Sequence, residues 1–424
     1  MTKPSCSRGG IISICALVYF VSYFSRKSFA AAMAGMLAEQ IIDKVTAGLI
    51  GTLLFVFYGI GQLVSGYLGD KIRPLYLILA GLSTTALCNL LMPLLPNGAW
   101  MIPVWGLNGL AQAMLWPPIL KLLSTYLDYE GYALGSMVVT CAAHVSTIIL
   151  YLFVPIALTF MSWEAVFYAA AGLTVLSMLA FVLLMHLILP ASPTPALPKQ
   201  RQVKEKKEEE NACTLPSLLF HSGILPILGA IITCGFLRDG IESWLPTLYS
   251  EAFGRDASES TLVSAILPVF ALAAVVLITV FHKKSFFSNE ARGAAVLFIL
   301  SALLCVPFAI LIEVEATVAR FVCLILAVLV CAAMHAVNML LISFLPGRFA
   351  AMGKTATVGG LVNAFIYIGA ASSMYGIALV SEHFGWLTTV LSWIGVAAAG
   401  ALLSLLACKK YSAFLATKGE THEA

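Results

Sequence analysis

The chain is a succession of long apolar stretches separated by brief polar breaks. Twelve stretches stand out, at residues 11–37, 46–69, 74–94, 99–123, 131–158, 162–189, 217–248, 260–281, 293–312, 316–344, 353–380 and 385–408. A helix rising 1.5 Å per residue crosses roughly 30 Å of hydrocarbon in about 20 residues, and each stretch meets that length. The stretches are continuous, not alternating, which predicts helices and excludes a membrane β-barrel. The expected fold is an all-α polytopic membrane protein with twelve transmembrane helices. One segment breaks the rhythm: Pro190, Pro193, Pro195 and Pro198 lead into the charged run Lys199 to Glu210, which reads as a solvated linker. It divides the chain into a six-helix bundle at 1–189, a charged linker at 190–216, and a second six-helix bundle with a short tail at 217–424.

Composition agrees with the pattern and narrows the function. Only 11% of residues are charged and 60% are apolar or aromatic, against roughly 25% and 45–50% in soluble domains. A soluble enzyme is excluded. The formal net charge of +3 is too small for an extended nucleic-acid-binding face. Ten cysteines are scattered, mostly inside apolar stretches and without a CxxC pair, so they read as packing residues and not as a disulfide frame or metal site. Lys3 and Arg8 ahead of Ile11 imitate a secretory signal, but the stretch runs on past Arg26 and Lys27, as a retained first helix does.

The basic residues assign sides. With both termini in the cytoplasm, eighteen of the 24 Lys and Arg fall in inside segments and only Lys44 and Arg255 fall outside, as the positive-inside rule requires. Arg26, Lys27, Arg238 and Arg320 are left over, within the apolar stretches themselves.

A guanidinium at membrane depth costs at least about 2.5–3.5 kcal/mol, so such residues face a partner or a pathway. Arg26 is the sixteenth residue of its stretch and Arg238 lies at similar depth in the first helix of the second half. They are 212 residues apart, half of 424, so a six-plus-six repeat carries one onto the other at the interface where repeat-built transporters hold substrate. A phosphate between them would be gripped by two planar forks that stay charged at any physiological pH. The alternative is pairing with carboxylates. Asp239 is rotated about 100° from Arg238 on the helix, whereas Glu242, at i+4, can reach it; Arg26 has no acid in its own helix before Glu39. Lys27 is either a second ligand or a lateral contact, and Arg320 can snorkel to Glu313 or Glu315. His144 would share the cavity with the arginines, and Tyr19 and Tyr23 lie on the face of Arg26, as ligands or as packing. His335, beside Asn338, lacks that context and reads as an internally satisfied side chain.

No nucleotide-binding loop is present, and the helices carry no ladder of buried acids. No cofactor or metal is expected. Exchange of one anion for another needs neither.

Five segments carry a family resemblance. Gly66-Tyr-Leu-Gly-Asp70-Lys71-Ile-Arg73 resembles the cytoplasmic loop signature of the major facilitator superfamily, in which Asp70, Lys71 and Arg73 would form a charge latch at the gate. Tyr19-Phe-Val-Ser-Tyr23-Phe-Ser-Arg26-Lys27-Ser-Phe29 and Gly106-Leu-Asn-Gly-Leu-Ala-Gln112-Ala-Met-Leu-Trp116-Pro117-Pro118 resemble the first- and fourth-helix motifs of its organophosphate:inorganic-phosphate antiporters, the glycerol-3-phosphate and hexose-phosphate transporters. Cys141-Ala-Ala-His144 and Phe236-Leu-Arg238-Asp-Gly240-Ile-Glu-Ser-Trp244-Leu-Pro246 are similar to the fifth- and seventh-helix segments. The resemblance implies a substrate site of Arg26, Arg238, Lys27, His144, Tyr19, Tyr23 and Tyr367, with Trp116 in the fourth-helix motif and Gln62 where relatives often place a lysine. It further implies a secondary transporter, not an enzyme, that works as a monomer in the plasma (inner) membrane on a small anionic substrate. Met114 and Leu115 replace the usual glycines, the second half has no acidic loop signature at Phe281 to Ser288, and Gly235 stands where a tyrosine would face the ligand. The alternatives are a hexose-phosphate sensor acting through a partner kinase, and a proton- or sodium-coupled carrier of another organic anion.

The sidedness is checked by reporter fusion. A green fluorescent protein fused after Ala424 is expected to fluoresce and alkaline phosphatase at the same position to be inactive; the reverse pattern overturns the assignment.

Overall fold

Hydrocarbon offers no hydrogen bonds to a backbone, so a spanning segment has to satisfy its own, and a helix does. The computed structural model describes residues 8–127, 129–188, 223–281, 289–352 and 355–416, and among them there is no β-strand. The chain groups into two units, residues 1–42 with 56–210 and residues 43–55 with 211–424. The expected linker at 190–216 lies outside the described residues. Grouping the start of the second helix, residues 43–55, with the second unit is not foreseeable from a division at the linker.

The helices of the first part of the chain are α1 (Arg8–Ala38), α2 (Lys44–Lys71), α3 (Pro74–Leu91), α4 (Gly98–Ala113), α5 (Trp116–Tyr126), α6 (Tyr129–Phe160) and α7 (Trp163–Ile188). Then come α8 (Ile224–Phe253), α9 (Ala257–Ser264), α10 (Ile266–Phe281), α11 (Glu290–Leu311), α12 (Thr317–Asn338) and α13 (Thr355–Ala416). Among the described residues ten helical runs are long and apolar enough to cross a membrane. The fourth expected span is divided at Met114–Leu115, just ahead of Pro117 and Pro118, because proline lacks the N–H that would continue the ladder. The eleventh and twelfth form one run, α13, bent at Gly385, where φ is 79° and ψ 175°. At 1.5 Å per residue its 62 residues would reach about 93 Å unbent, so the bend makes two passes. Gly385 can take that positive φ without a Cβ clash.

Asp43 starts α2 by accepting a hydrogen bond from the Thr46 amide at 2.6 Å. That bond holds its carboxyl below the usual carboxylate range, as expected of a helix-capping carboxylate.

In lipid, helices associate by close packing, since no water is expelled between them. In the first unit α1 is the hub: Ile11, Cys15 and Val18 pack with Ile78 and Leu82 of α3, Ile119 and Leu123 of α5, Val139 of α6 and Phe181 of α7. In the second unit α8 and the first pass of α13 nearly touch backbone to backbone. A Cβ on Gly235 would run into the Ile366 carbonyl oxygen, and one on Gly369 into that of Ile232. This explains the departure at Gly235: no side chain, tyrosine or other, fits there.

Gly369→Ala is expected to lower thermal stability by about 1–3 kcal/mol through overpacking, read as a lower melting temperature of detergent-solubilised protein. Gly172→Ala, with nothing within 4 Å of the added Cβ, is expected to melt within experimental error of the parent.

Candidate functional site

Helical spacing puts Tyr19, Tyr23 and Arg26 on one face of α1. The opposite side of that helix is held by a belt of small polar residues. Ser25 bonds Thr174 of α7 at 2.6 Å and the Ala170 carbonyl at 3.2 Å. Ser28 donates to Asn89 Oδ1 of α3 at 2.9 Å, and Asn89 Nδ2 donates back to the Ser25 carbonyl at 3.2 Å and to Thr85 at 3.0 Å. Ser146 of α6 donates to the Phe20 carbonyl at 2.5 Å. Each such bond contributes on the order of 0.5–1 kcal/mol in a membrane helix pair. Together they fix the rotation of α1, and so the direction of its arginine.

Arg26 is 8% exposed and sits among aromatic rings. Its Cζ lies 4.0 Å from the centroid of Tyr58 on α2 and 5.6 Å from that of Tyr23. Tyr19 packs on Tyr23 at 5.0 Å and on Trp116 at 4.8 Å. Stacking against ring faces favours a guanidinium electrostatically, and its donors lie in its plane, at the side of the rings. Gln62 is half-buried one turn beyond Tyr58, and Lys27 and His144 are half-buried on α1 and α6. This is an aromatic seat for a cation whose donors suit a tetrahedral oxyanion.

The second unit treats its arginine differently. Arg238 donates through Nη1 to Asn338 Oδ1 of α12 at 2.7 Å and through Nη2 to Asp239 Oδ2 at 2.6 Å. The wheel position favoured Glu242, yet the long stem of Arg238 lets its head reach the neighbouring carboxylate. Glu242 turns instead to His335 Nε2, 3.2 Å away. Tyr367 of α13 stacks on Phe55 at 6.4 Å, within the same unit. Lys44 at the start of α2 binds Glu251 at 2.7 Å and Glu382 at 3.5 Å, and Trp386 Nε1 donates to Glu251 at 2.9 Å.

Tyr19, Tyr23, Arg26 and Trp116 are thus brought together, while Arg238 and Tyr367 belong to the second unit. Asp70 and Lys71 lie outside the residues whose side chains are described; Arg73 is exposed at the start of α3. Arg320 shares a cavity of about 290 Å³ with Glu313 and Glu315. Sequence reasoning missed Tyr58 and the bond from Arg238 to Asn338, while His335 is internally satisfied, as expected, by Glu242. An aromatic on α2 one turn before Gln62 was the available signal for the first; the position of Asn338 on one helical face with His335 was the signal for the second.

Residues 15–374 match the Major Facilitator Superfamily profile, and the chain belongs to that superfamily. Its members are transporters, not enzymes, and this chain is an integral multi-pass membrane protein. Among curated relatives it is 39% identical to a probable hexose phosphate transport protein of Chlamydia muridarum over 106 residues, 25% of this chain and 23% of the relative. It is 24% identical to the glycerol-3-phosphate transporter of Bacillus subtilis over 379 residues, 86% and 84% of the two chains. It is 33% identical to the membrane sensor protein UhpC of Escherichia coli over 111 residues, 26% and 25%. These relatives are of the organophosphate:phosphate antiporter family, which the chain resembles; the matched segment spans about a quarter of the Chlamydia relative. Among solved structures, a bacterial homologue of the human lysosomal transporter Spinster superposes with a TM-score of 0.79 at 13% identity, over 97% of this chain and 99% of that one.

Tyr58→Leu is expected to weaken binding of inorganic phosphate to the purified protein by about 5- to 30-fold, and Tyr58→Phe to retain it within about threefold, since the ring face is what supports Arg26.

Proposed function

We propose that this protein exchanges an organophosphate, a sugar phosphate or glycerol 3-phosphate, for inorganic phosphate by alternating access. The observation that carries this is the pair Arg26 and Arg238, half a chain apart, the first buried and the second part-buried within a spanning helix, and each held in place by surrounding side chains. The names of the relatives support the phosphate class. A buried guanidinium is costly to carry across hydrocarbon uncompensated, so return of the carrier with a second anion is the favourable half-cycle. Lys27, His144, Tyr19, Tyr23, Tyr367, Trp116 and Gln62 surround the anion in this reading, and Asp70, Lys71 and Arg73 latch the cytoplasmic gate. The functional form is a monomer in the plasma membrane, with two six-helix halves about the linker and both termini in the cytoplasm.

A second reading is favoured by the match to UhpC: a sensor that binds the same ligand without passing it and signals through a partner kinase.

Proteoliposomes loaded with labelled inorganic phosphate separate the two. External organophosphate is expected to release the label, and Arg26→Ala or Arg238→Ala to slow release by about 100-fold or more, the loss of a charge-assisted pair of hydrogen bonds. Binding without release favours the sensor; neither binding nor release overturns both readings.

A further inference from the structure

Cys331 and His335 stand one helical turn apart on α12, and Glu242 reaches them from the facing helix α8. One donor atom from each, the Cys331 sulfur, a His335 ring nitrogen and a Glu242 carboxylate oxygen, can be chosen so that all lie within 4.8 Å of one another. Ligands at i and i+4 share a helix face, the spacing by which a single helix offers a metal two donors. The third donor comes from the neighbouring helix of the same unit. None of the three has a role in the exchange at Arg26 and Arg238. Just beyond them, after Asn338, α12 passes into a π-helical turn, Met339–Phe344, a rare conformation that concentrates at functional sites.

The separations suit a small tetrahedral ion. Metal–ligand bonds of about 2.0–2.1 Å to nitrogen and oxygen and about 2.3 Å to sulfur put neighbouring N and O donors roughly 3.3 Å apart, and sulfur roughly 3.6 Å from either. His335 Nε2 and Glu242 Oε1 are already 3.2 Å apart. The sulfur therefore has at most about 1 Å to travel, within reach of a side-chain torsion. Donor chemistry selects the metal. A thiolate disfavours Mg2+ and Ca2+, whereas sulfur, imidazole nitrogen and carboxylate oxygen are all ordinary ligands of Zn2+. Three protein donors leave the fourth position to water.

None of the three side chains is without partners. Glu242 and His335 hold each other, and the Cys331 thiol lies 3.9 Å from the Arg238 carbonyl oxygen. Zinc binding exchanges such contacts for coordinate bonds, which are the stronger, and the thiol proton leaves to solvent as the metal–sulfur bond forms. Cys331 is 1% exposed, while the side chains of His335 and Glu242 keep 11% and 12% exposure, so the ion enters from their side.

We propose that Glu242, Cys331 and His335 form a Zn2+ site that clamps α8 to α12, the two helices that supply Arg238 and Asn338. The site goes beyond the exchange reading and stands or falls without it.

The test titrates the full-length purified protein with Co2+, a spectroscopic stand-in for Zn2+, and then displaces it with Zn2+ in competition with a chromogenic chelator. Wild type is expected to bind one Co2+ with tetrahedral visible bands and a thiolate-to-cobalt charge-transfer band, and Zn2+ to abolish both. Cys331→Ser is expected to lose the charge-transfer band, and His335→Gln and Glu242→Gln to weaken binding at least about tenfold, whereas Cys305→Ser, on α11, keeps wild-type binding. A readout that needs no variant is thermal stability: Zn2+ at 100 times its dissociation constant is expected to raise the wild-type melting temperature by about 3 °C or more. No charge-transfer band in wild type, or the same band in Cys331→Ser, overturns the proposal, as does a wild-type melting temperature that ignores Zn2+. Labelled phosphate exchange, measured in metal-free buffer, is untouched by any of these results.

Discussion

A charge inside hydrocarbon has to be matched by something, and the whole interior of this protein is arranged around that constraint. Only 11% of the chain is charged, so each buried ion stands out against helices that otherwise pack apolar surface on apolar surface. Arg26 is matched by aromatic quadrupoles and Arg238 by a carboxylate and an amide. Both solutions keep the guanidinium at depth, but they differ in what they leave for a ligand. Rings stabilise a cation without neutralising it, whereas Asp239 cancels the charge it touches.

The surroundings of each arginine follow from the helix that bears it. Because lipid gives no hydrophobic drive for helix association, α1 is positioned by hydrogen bonds of Ser25, Ser28 and Asn89 and by the Ser146 contact from α6. On α8 the corresponding job falls to close approach: Gly235 and Gly369 let α8 and α13 come within backbone contact. The glycine that removes a would-be ligand side chain is the same one that permits this approach. Loss of a tyrosine there is a consequence of packing and carries no message about substrate.

Much of this was legible in the sequence. Continuous apolar length marks the spans, because crossing distance and helix rise are constants; proline marks the break before α5; and the depth of Arg26 and Arg238 follows from counting residues. Partner choice was not legible. A helical wheel assigns Arg238 to Glu242 by angle, but the guanidinium sits on a flexible stem and takes Asp239, which frees Glu242 for a histidine 93 residues away. Tyr58 was missed for a related reason: a cation–π contact between helices leaves no spacing pattern in either. The bend at Gly385 joins two expected spans into one run because a single glycine with positive φ turns the chain without interrupting the hydrogen-bond ladder on either side.

The two arginines therefore divide the work of recognition in the proposed exchange. An anion reaching Arg26 meets a guanidinium seated against ring faces, which favour the cation without supplying a formal counter-charge of their own. An anion reaching Arg238 has to compete with Asp239 and Asn338 for the same donors, trading one charge-assisted bond for another, so the net gain there depends on what happens to the displaced negative charge. Glu242 and His335 stand one turn from that trade, on the two helices that supply Arg238 and Asn338. In that exchange the gain at Arg238 would depend on the donors that Asp239 and Asn338 already engage, whereas the ring faces around Arg26 leave the in-plane direction of its guanidinium to other acceptors.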